Sequence, residues 1–383
     1  MSDRRAVLAA LLSLIALPAL AAEEGSGVEP VALPFAVKAM RGPGSDVALS
    51  VATSGLLPVA RAPASADPKA TASTAPPPVV VVWGEGGGAV LSLDGATLRT
   101  TLIGAEAIEG FAAAETPRGA VPGSRRALDG PLSAYLTGPT RALGGAPGQG
   151  TVLTVRERQP LGVTAEPKAV PVTTHTLAPG GDRVFAGRTP RITRLDGRPA
   201  VVAVTAQGAA GSGLALAVKG KDGAWTLAAQ TPPQAGQGPG TAPLALAGLA
   251  DFSGTGTPQI AAIRAPDGEG VLQFWRIADG ALTEGALTLA GEAPGYAGPA
   301  AGEEAELAAL VPRGGNPPDL ALPAAGRGAV AVVALKDGRP VERARIPLPA
   351  PAAHGLAVLD AGGTAKKILV GLADGRLVAV SVP

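Results

Sequence analysis

Apolar runs of five to eight residues rich in Ala, Val and Leu, Asp-Gly pairs that punctuate them, and a repeat of 57 to 58 residues predict an all-β chain. The runs are bounded by Gly, Pro or Asp-Gly, which is the pattern of strands and hairpins rather than of helices. The pairs Asp94-Gly95, Asp222-Gly223, Asp279-Gly280, Asp337-Gly338 and Asp374-Gly375 sit where two-residue turns need positive φ. Asp222, Asp279 and Asp337 follow one another at intervals of 57 and 58 residues. Units of four short strands at this period are the mark of a β-propeller, whose radial sheets leave only short edges.

The N-terminus reads as an export signal. Arg4 and Arg5 precede the apolar run 6–20, which is broken by Pro18 and followed by the small-x-small triplet Ala19-Leu20-Ala21. Residues 1–21 are therefore expected to be a signal peptide, and residues 22–383 a single propeller domain in the periplasm or secreted from a bacterium. Whether export uses the general or the twin-arginine route is left open by the Arg4-Arg5 pair. No later segment is long and apolar enough to span a bilayer. The chain has no Cys, so disulfides, thiolate metal sites and catalytic thiols are excluded.

The first unit is read as the runs 46–51 (DVALSV), 79–84 (VVVVWG), 89–95 (AVLSLDG) and 97–104 (TLRTTLIG), with a Pro/Ala/Ser/Thr-rich loop insert at 62–78. The second is read as 109–115, 132–138, 151–158 and 169–176. Four later units begin at Arg191, Pro243, Ala305 and His354, which gives six blades. Seven is the alternative, if 35–40 (FAVKAM) opens a blade of its own. The last unit has only three strands, 354–360, 367–374 and 376–383. Segment 29–40 has the proline-edged apolar character of an outer strand, so it is expected to supply the fourth and close the ring, with Pro30 and Pro34 tolerated at an edge.

Residues 251–260 (DFSGTGTPQI) resemble the loop of FG-GAP/VCBS repeats, found in bacterial cell-surface and integrin-type propellers, whose pattern is D-x-[DN]-x-D-G-x-x-D followed by an apolar strand. Asp251 falls at its first position, Ser253 at the third, Thr255 at the fifth, Gly256 at the glycine and Gln259 at the ninth. Other units keep one acidic position each: Asp196 the fifth, Asp319 the ninth and Asp360 the first. The resemblance implies oxygen ligands for Ca²⁺, with Asp251, Asp196, Asp319 and Asp360 as the degenerate metal positions. A hard dication needs six to eight oxygens, and one carboxylate per loop falls short of that. The loops are therefore read as turns, and no cofactor is expected apart from calcium as the one candidate. Neither Ser253–Gly256 nor Gly84–Gly88 is a phosphate loop, since no Lys-Ser/Thr and no helix follows.

Enzymatic signals are sparse. The two histidines, His175 and His354, fall on an expected outer strand and near the start of an expected inner strand. Glu303, Glu304 and Glu306 precede a strand and read as a solvated loop. Trp83, Trp225 and Trp275 are expected to pack between blades. Charged residues are 16% of the chain with a formal net charge of +1, which gives no footprint for nucleic acid. The reading is thus a monomeric, non-enzymatic binding or scaffold module that meets a protein or carbohydrate ligand through loops 62–78, 116–130 and 232–242. The alternative is a propeller enzyme of hydrolase, lactonase or quinoprotein type, with its site at the central channel. That alternative requires polar residues at the starts of the inner strands, which read as mostly Ala, Leu, Val and Gly.

Overall fold

A computed structural model describes residues 27–57, 77–143, 148–159, 171–235, 242–278, 287–362 and 365–381. The expected signal peptide, most of the 62–78 insert and Asp279-Gly280 lie outside these residues. Among the described residues the chain forms six four-stranded antiparallel blades. Strand β1 (Val28–Val31) begins the chain and belongs to the last blade. The first blade is β2 (Ala39–Arg41), β3 (Val80–Gly84), β4 (Gly87–Asp94) and β5 (Thr97–Ile103). The second is β6 (Ala127–Asp129), β7 (Leu132–Pro139), β8 (Gly150–Arg158) and β9 (Val172–Leu177). The third is β10 (Val184–Leu195), β11 (Arg198–Ala206), β12 (Ser212–Lys219) and β13 (Trp225–Gln230). A single bridge between Phe185 and Gly150 joins the second and third blades into one continuous sheet. The fourth blade is β14 (Ala245–Ala250), β15 (Gln259–Arg264), β16 (Gly270–Ile277) and β17 (Leu287–Tyr296). The fifth is β18 (Ala309–Arg313), β19 (Asn316–Pro323), β20 (Ala329–Lys336) and β21 (Arg339–Pro347). The sixth is β22 (Ala352–Asp360), β23 (Lys366–Leu372), β24 (Leu377–Ser381) and β1.

Position in the blade explains the strand sequences. Middle strands lie between two neighbouring blades and are apolar on both faces, as in β12, where Ser212–Val218 are all buried. Small Ala and Val side chains let those faces approach. Outer strands meet solvent and alternate, as in β21, which also tolerates Pro340 and Pro347. Five cores join consecutive blades from the second round to the first. Asp337 and Gly338 have φ of 51° and 74°, and Asp196 and Gly197 of 50° and 75°, the left-handed pairs that two-residue hairpins demand.

The ring closes through the N-terminus. β1 pairs antiparallel with β24, Val28 opposite Val380 and Val31 opposite Leu377. The pairing strand occupies 28–31, and Pro34 falls beyond it. The following segment crosses inward to the first blade, where Val37 N–H donates to Gly375 O at 2.8 Å and Lys38 N–H to Trp83 O at 2.9 Å. Residues 39–41 then form the inner strand of the first blade, so 35–40 opens no seventh.

Two expected strands are helices. Residues 46–51 lie in α1 (Asp46–Thr53) and 109–115 coincide with α2 (Ala105–Ala114) and its C-cap Glu115. Helix α1 is capped by Ser45, whose hydroxyl accepts Ala48 N–H at 3.1 Å, and it buries Val47, Ala48 and Val51, a helical spacing. Ala-rich α2 buries Ile108 against the same core, with Phe111 packed beside it. These helices pack on the first blade where the second adjoins it. The junction there is fastened by ion pairs, Arg41 Nε to Glu115 at 2.8 Å and Arg126 to Asp46.

Candidate functional site

The inner strands of a propeller begin at one end of its channel, and here they begin with charge. Lys38 and Arg41 enter from the first blade, Arg125 from the second, Arg188 and Arg191 from the third, Glu306 from the fifth and His354 from the sixth. The expectation of an apolar set of inner-strand starts is therefore overturned. The expectation that Glu303, Glu304 and Glu306 form a solvated loop holds for Glu304, whose side chain is 63% exposed, whereas Glu303 and Glu306 are half-buried against arginines. The connection from β17 to β18 crosses the channel and carries those three glutamates in among the arginines.

Each glutamate meets a guanidinium. Arg327 grips Glu303 bidentately at 3.0 and 2.8 Å and also donates to Gly298 O at 2.7 Å. Arg188 donates to Glu304 Oε1 at 3.1 Å and to Gly302 O at 2.9 Å. Glu306 lies 3.5 Å from Arg125 and 3.6 Å from Arg191, while its carbonyl accepts Leu356 N–H at 2.7 Å. Arg125 Nη2 donates to Glu304 O at 2.8 Å. Gly123 is required here, with φ of 76° and space where a Cβ would lie 1.9 Å from Arg188 Nη1. Arg41, paired with Glu115, lies 5.2 Å from the centre of the Trp83 ring.

The electrostatics follow from this crowding. Burial favours the neutral acid at Glu306, but Arg191, Arg125 and Arg41 outweigh it and bring its pKa down to about 2. Burial likewise opposes ionisation of Glu303, and the Arg327 and Ala300 hydrogen bonds hold it below the usual carboxylate range. Arg125 is shifted down by burial, with Arg41 and Arg191 adding repulsion against the pull of Glu306. Burial and the Lys38 ammonium push His354 below its ordinary value, while a hydrogen bond to the Lys38 backbone pulls the other way.

Two spaces flank the crossing segment. On the outer side lies a cleft of about 520 Å³ bordered by Lys38, Trp83, Arg125, Glu304 and His354. On the inner side lies a cavity of about 140 Å³, walled by Val204, Leu246 and Ile263 and capped by Arg191 and Glu306. Arg125, Glu303 and Ala305 border both. The cleft, with cations and carboxylates converging on one space, is the arrangement best suited to hold a polar ligand.

The four aspartates read from the calcium-type pattern lie in different blades and are not brought together. Asp251 accepts N–H bonds from Thr255 at 3.0 Å and Gly256 at 2.7 Å. Burial works against its charge, but the N–H groups of Gly256, Thr255 and Gly254 hold its pKa down. Gln259 Nε2 donates to Ser253 Oγ at 2.8 Å and Thr257 O at 2.6 Å, so an amide nitrogen engages oxygens that a cation would need. This donor set does not suit calcium. Asp196 sits in the β10–β11 turn, exposed and 4.0 Å from Arg198. Asp319 is buried between Arg343 at 3.0 Å and Arg313 at 3.5 Å. Asp360 accepts Gly362 N–H at 2.9 Å. Among the described residues no three His, Asp or Glu side chains converge as a metal cluster.

Of the expected contact loops, 116–130 delivers Arg125 to the channel, whereas most of 62–78 and residues 236–241 lie outside the described residues. Trp83, Trp225 and Trp275 are only 9%, 6% and 6% exposed; Trp225 and Trp275 pack between blades as expected, whereas Trp83 packs against helices α1 and α2 on the first blade. His175 lies on β9, far along the chain from the cleft and bordering a separate groove beside Trp225. Arg125 is not legible as an inner-strand start when residues 109–115, which form α2 and its C-cap, stand as the inner strand of the second blade. Aligning the blades on β6 instead places Arg125 level with Lys38, Arg188, Glu306 and His354.

No family model and no curated protein matches the chain. Solved structures of similar outline include a protein from Lactobacillus plantarum, at 17% identity and TM-score 0.39 over 80% of this chain and 82% of that one. A Trypanosoma rangeli sialidase in complex with sialic acid matches at 12% and 0.38 over 79% of this chain, which spans 51% of the sialidase. A glucose dehydrogenase matches at 12% and 0.36 over 79% and 93%. Among the described residues no helix is long and apolar enough to cross a membrane.

Proposed function

We propose that the chain is an exported, non-enzymatic propeller, degenerate from the FG-GAP/VCBS type, that binds its ligand in the cleft at the channel mouth. One observation carries the reading. The cleft concentrates charged groups at the starts of inner strands, and Glu303 on its border and Glu306 beside it are both held below the ordinary carboxylate range. Groups so tuned stay ionised at neutral pH and serve ion pairing and recognition, not proton donation. Calcium plays no part in this reading, because the loop oxygens are engaged by Gln259 and by backbone N–H groups.

The second reading, a channel enzyme of hydrolase type, draws on one feature. His354 has a lowered pKa and stands in the cleft, where a neutral imidazole could accept a proton. The binding reading is tested by native mass spectrometry of the mature chain purified from the periplasm, beside Ala353→Trp, which fills the cleft wall. A small molecule retained by the unaltered protein and lost from the variant supports it. Identical spectra for the two proteins overturn the assignment of the cleft. Turnover of ester or lactone substrates that His354→Ala abolishes would favour the enzyme.

A further inference from the structure

We infer that the cleft at the channel mouth is an oxyanion site, taking a carboxylate or phosphate group of a small ligand between Lys38 and the buried Arg125. The inference rests on the binding reading above and names its ligand class. Pairing at the channel mouth is unequal. Glu115 serves Arg41, Glu303 serves Arg327 and Glu304 serves Arg188. Glu306 alone is left for both Arg125 and Arg191, at 3.5 and 3.6 Å, longer than the roughly 2.7–2.9 Å of a good charge-assisted hydrogen bond. Lys38 is exposed and has no carboxylate partner among the described residues. Two positive charges therefore exceed what the chain neutralises at this end of the channel.

Arg125 is the deeper anchor. It is only 7% exposed, and its Nε hydrogen finds no acceptor. A buried unsatisfied donor on a charged group is costly, so the position favours an acceptor supplied from outside. Arg41 and Arg191 also repel this guanidinium, against the pull of Glu306 and Glu115. The cleft of about 520 Å³ is the size of a small-ligand site, and of the three cations on its border, Lys38, Arg41 and Arg125, Lys38 has no carboxylate partner among the described residues. Backbone carbonyls of Gly298 and Gly302 are already taken by Arg327 and Arg188. They do not compete for Arg125. Trp83 borders the cleft beneath Arg41, which gives the site its own fluorescent reporter.

The test uses the full mature chain at fixed ionic strength, titrated with citrate and with inorganic phosphate against sodium chloride, and followed by calorimetry and Trp fluorescence. Saturable binding of either anion is expected, with a fluorescence change that Trp83→Phe removes. Citrate binding alone identifies a carboxylate ligand, and phosphate binding alone a phosphate. Lys38→Gln, at an exposed side chain, is expected to weaken binding about tenfold, the loss of one hydrogen-bonded charge. Arg125→Lys is the second variant, and Lys38→Gln decides if it fails to fold. No saturable binding of either anion to a natively folded protein overturns the ligand class, as does binding indifferent to Lys38→Gln. If neither anion binds but Ala353→Trp still expels a co-purified neutral molecule, the cleft stands and only its ligand class falls. If Ala353→Trp leaves anion binding intact, the assignment of the cleft itself fails.

Discussion

Glu306 shows how one side chain links the channel to stability. Its pKa falls from an ordinary 4.5 to about 2 because guanidiniums surround it. A carboxyl depressed in the folded state contributes stability that is fully present above its unfolded pKa and lost as pH falls through the folded one. The window is therefore pH 4.5 down to about 2. Discounted for a side chain that is 33% exposed, the contribution is on the order of 2 kcal/mol. Glu306→Gln should flatten the pH dependence of urea midpoints across that window. It should also destabilise at pH 7 by roughly 2–4 kcal/mol, since Arg125 and Arg191 lose their shared partner. Equal pH slopes for the two proteins would show that Glu306 is not the group responsible. Gln259 gives a second test at this scale. Its amide nitrogen bonds Ser253 Oγ and Thr257 O, so melts of the unaltered protein with calcium and with chelator should coincide. Gln259→Asp replaces the donor by a second carboxylate facing Asp251, and its melting temperature should rise with millimolar calcium. A calcium-dependent melt in the unaltered protein would contradict the account of the loop.

Elements differ in how plainly the sequence announces them. Strands bounded by Asp-Gly or Gly-Gly turns were legible to within a few residues, because the turn chemistry is local and the blades repeat. Helices α1 and α2 were not, since each is short and Ala-containing, α1 with two Val besides, and each stands where the repeat calls for a strand. Ser45 and the spacing of Val47, Ala48 and Val51 carry a helical signal that the strand repeat masks. The glycines of 84–88 form no phosphate loop, and their role depends on a segment some 50 residues earlier. A Cβ on Gly84 would lie 1.9 Å from Ala36 O, and one on Gly87 would lie 2.3 Å from the Phe35 ring. The β3–β4 hairpin thus admits the crossing segment only because both side chains are missing. Gly84→Ala should cost roughly 2 kcal/mol or more, by displacing residues 35–38 from the hairpin. Gly110→Ala, in α2 with open space around the new methyl, should instead stabilise by about 0.5–1 kcal/mol. Chemical denaturation of the two variants checks the contrast, and a neutral Gly84→Ala would mean the crossing segment is loosely held.

For the whole molecule, the ring was legible and the site was not. A repeat period is a one-dimensional property, whereas the channel mouth gathers Lys38, Arg125, Arg188, Glu306 and His354 from five blades, and their proximity exists only once the ring has closed. Closure itself depends on β1, which turns a three-stranded last blade into four. Its four residues pair with Leu377–Val380, Glu29 reaches Lys367 at 3.2 Å, and Val28 packs against the core between the fifth and sixth blades. Deleting residues 22–31 should leave β24 as an exposed edge with unpaired N–H and C=O groups, while β2 and the channel residues from Lys38 onward stay in the chain. The expected outcome is a lower melting temperature together with oligomers on size-exclusion chromatography, as open edges pair between molecules. Because the crossing segment is anchored separately through Val37 to Gly375 and Lys38 to Trp83, the sixth and first blades keep part of their contact. The truncated protein should therefore remain folded by circular dichroism and lose cooperativity in its melt, where removal of an unattached tail would change neither. A truncation that melts and elutes like the full mature chain would show that closure does not depend on β1, and would place it in the 32–41 segment alone.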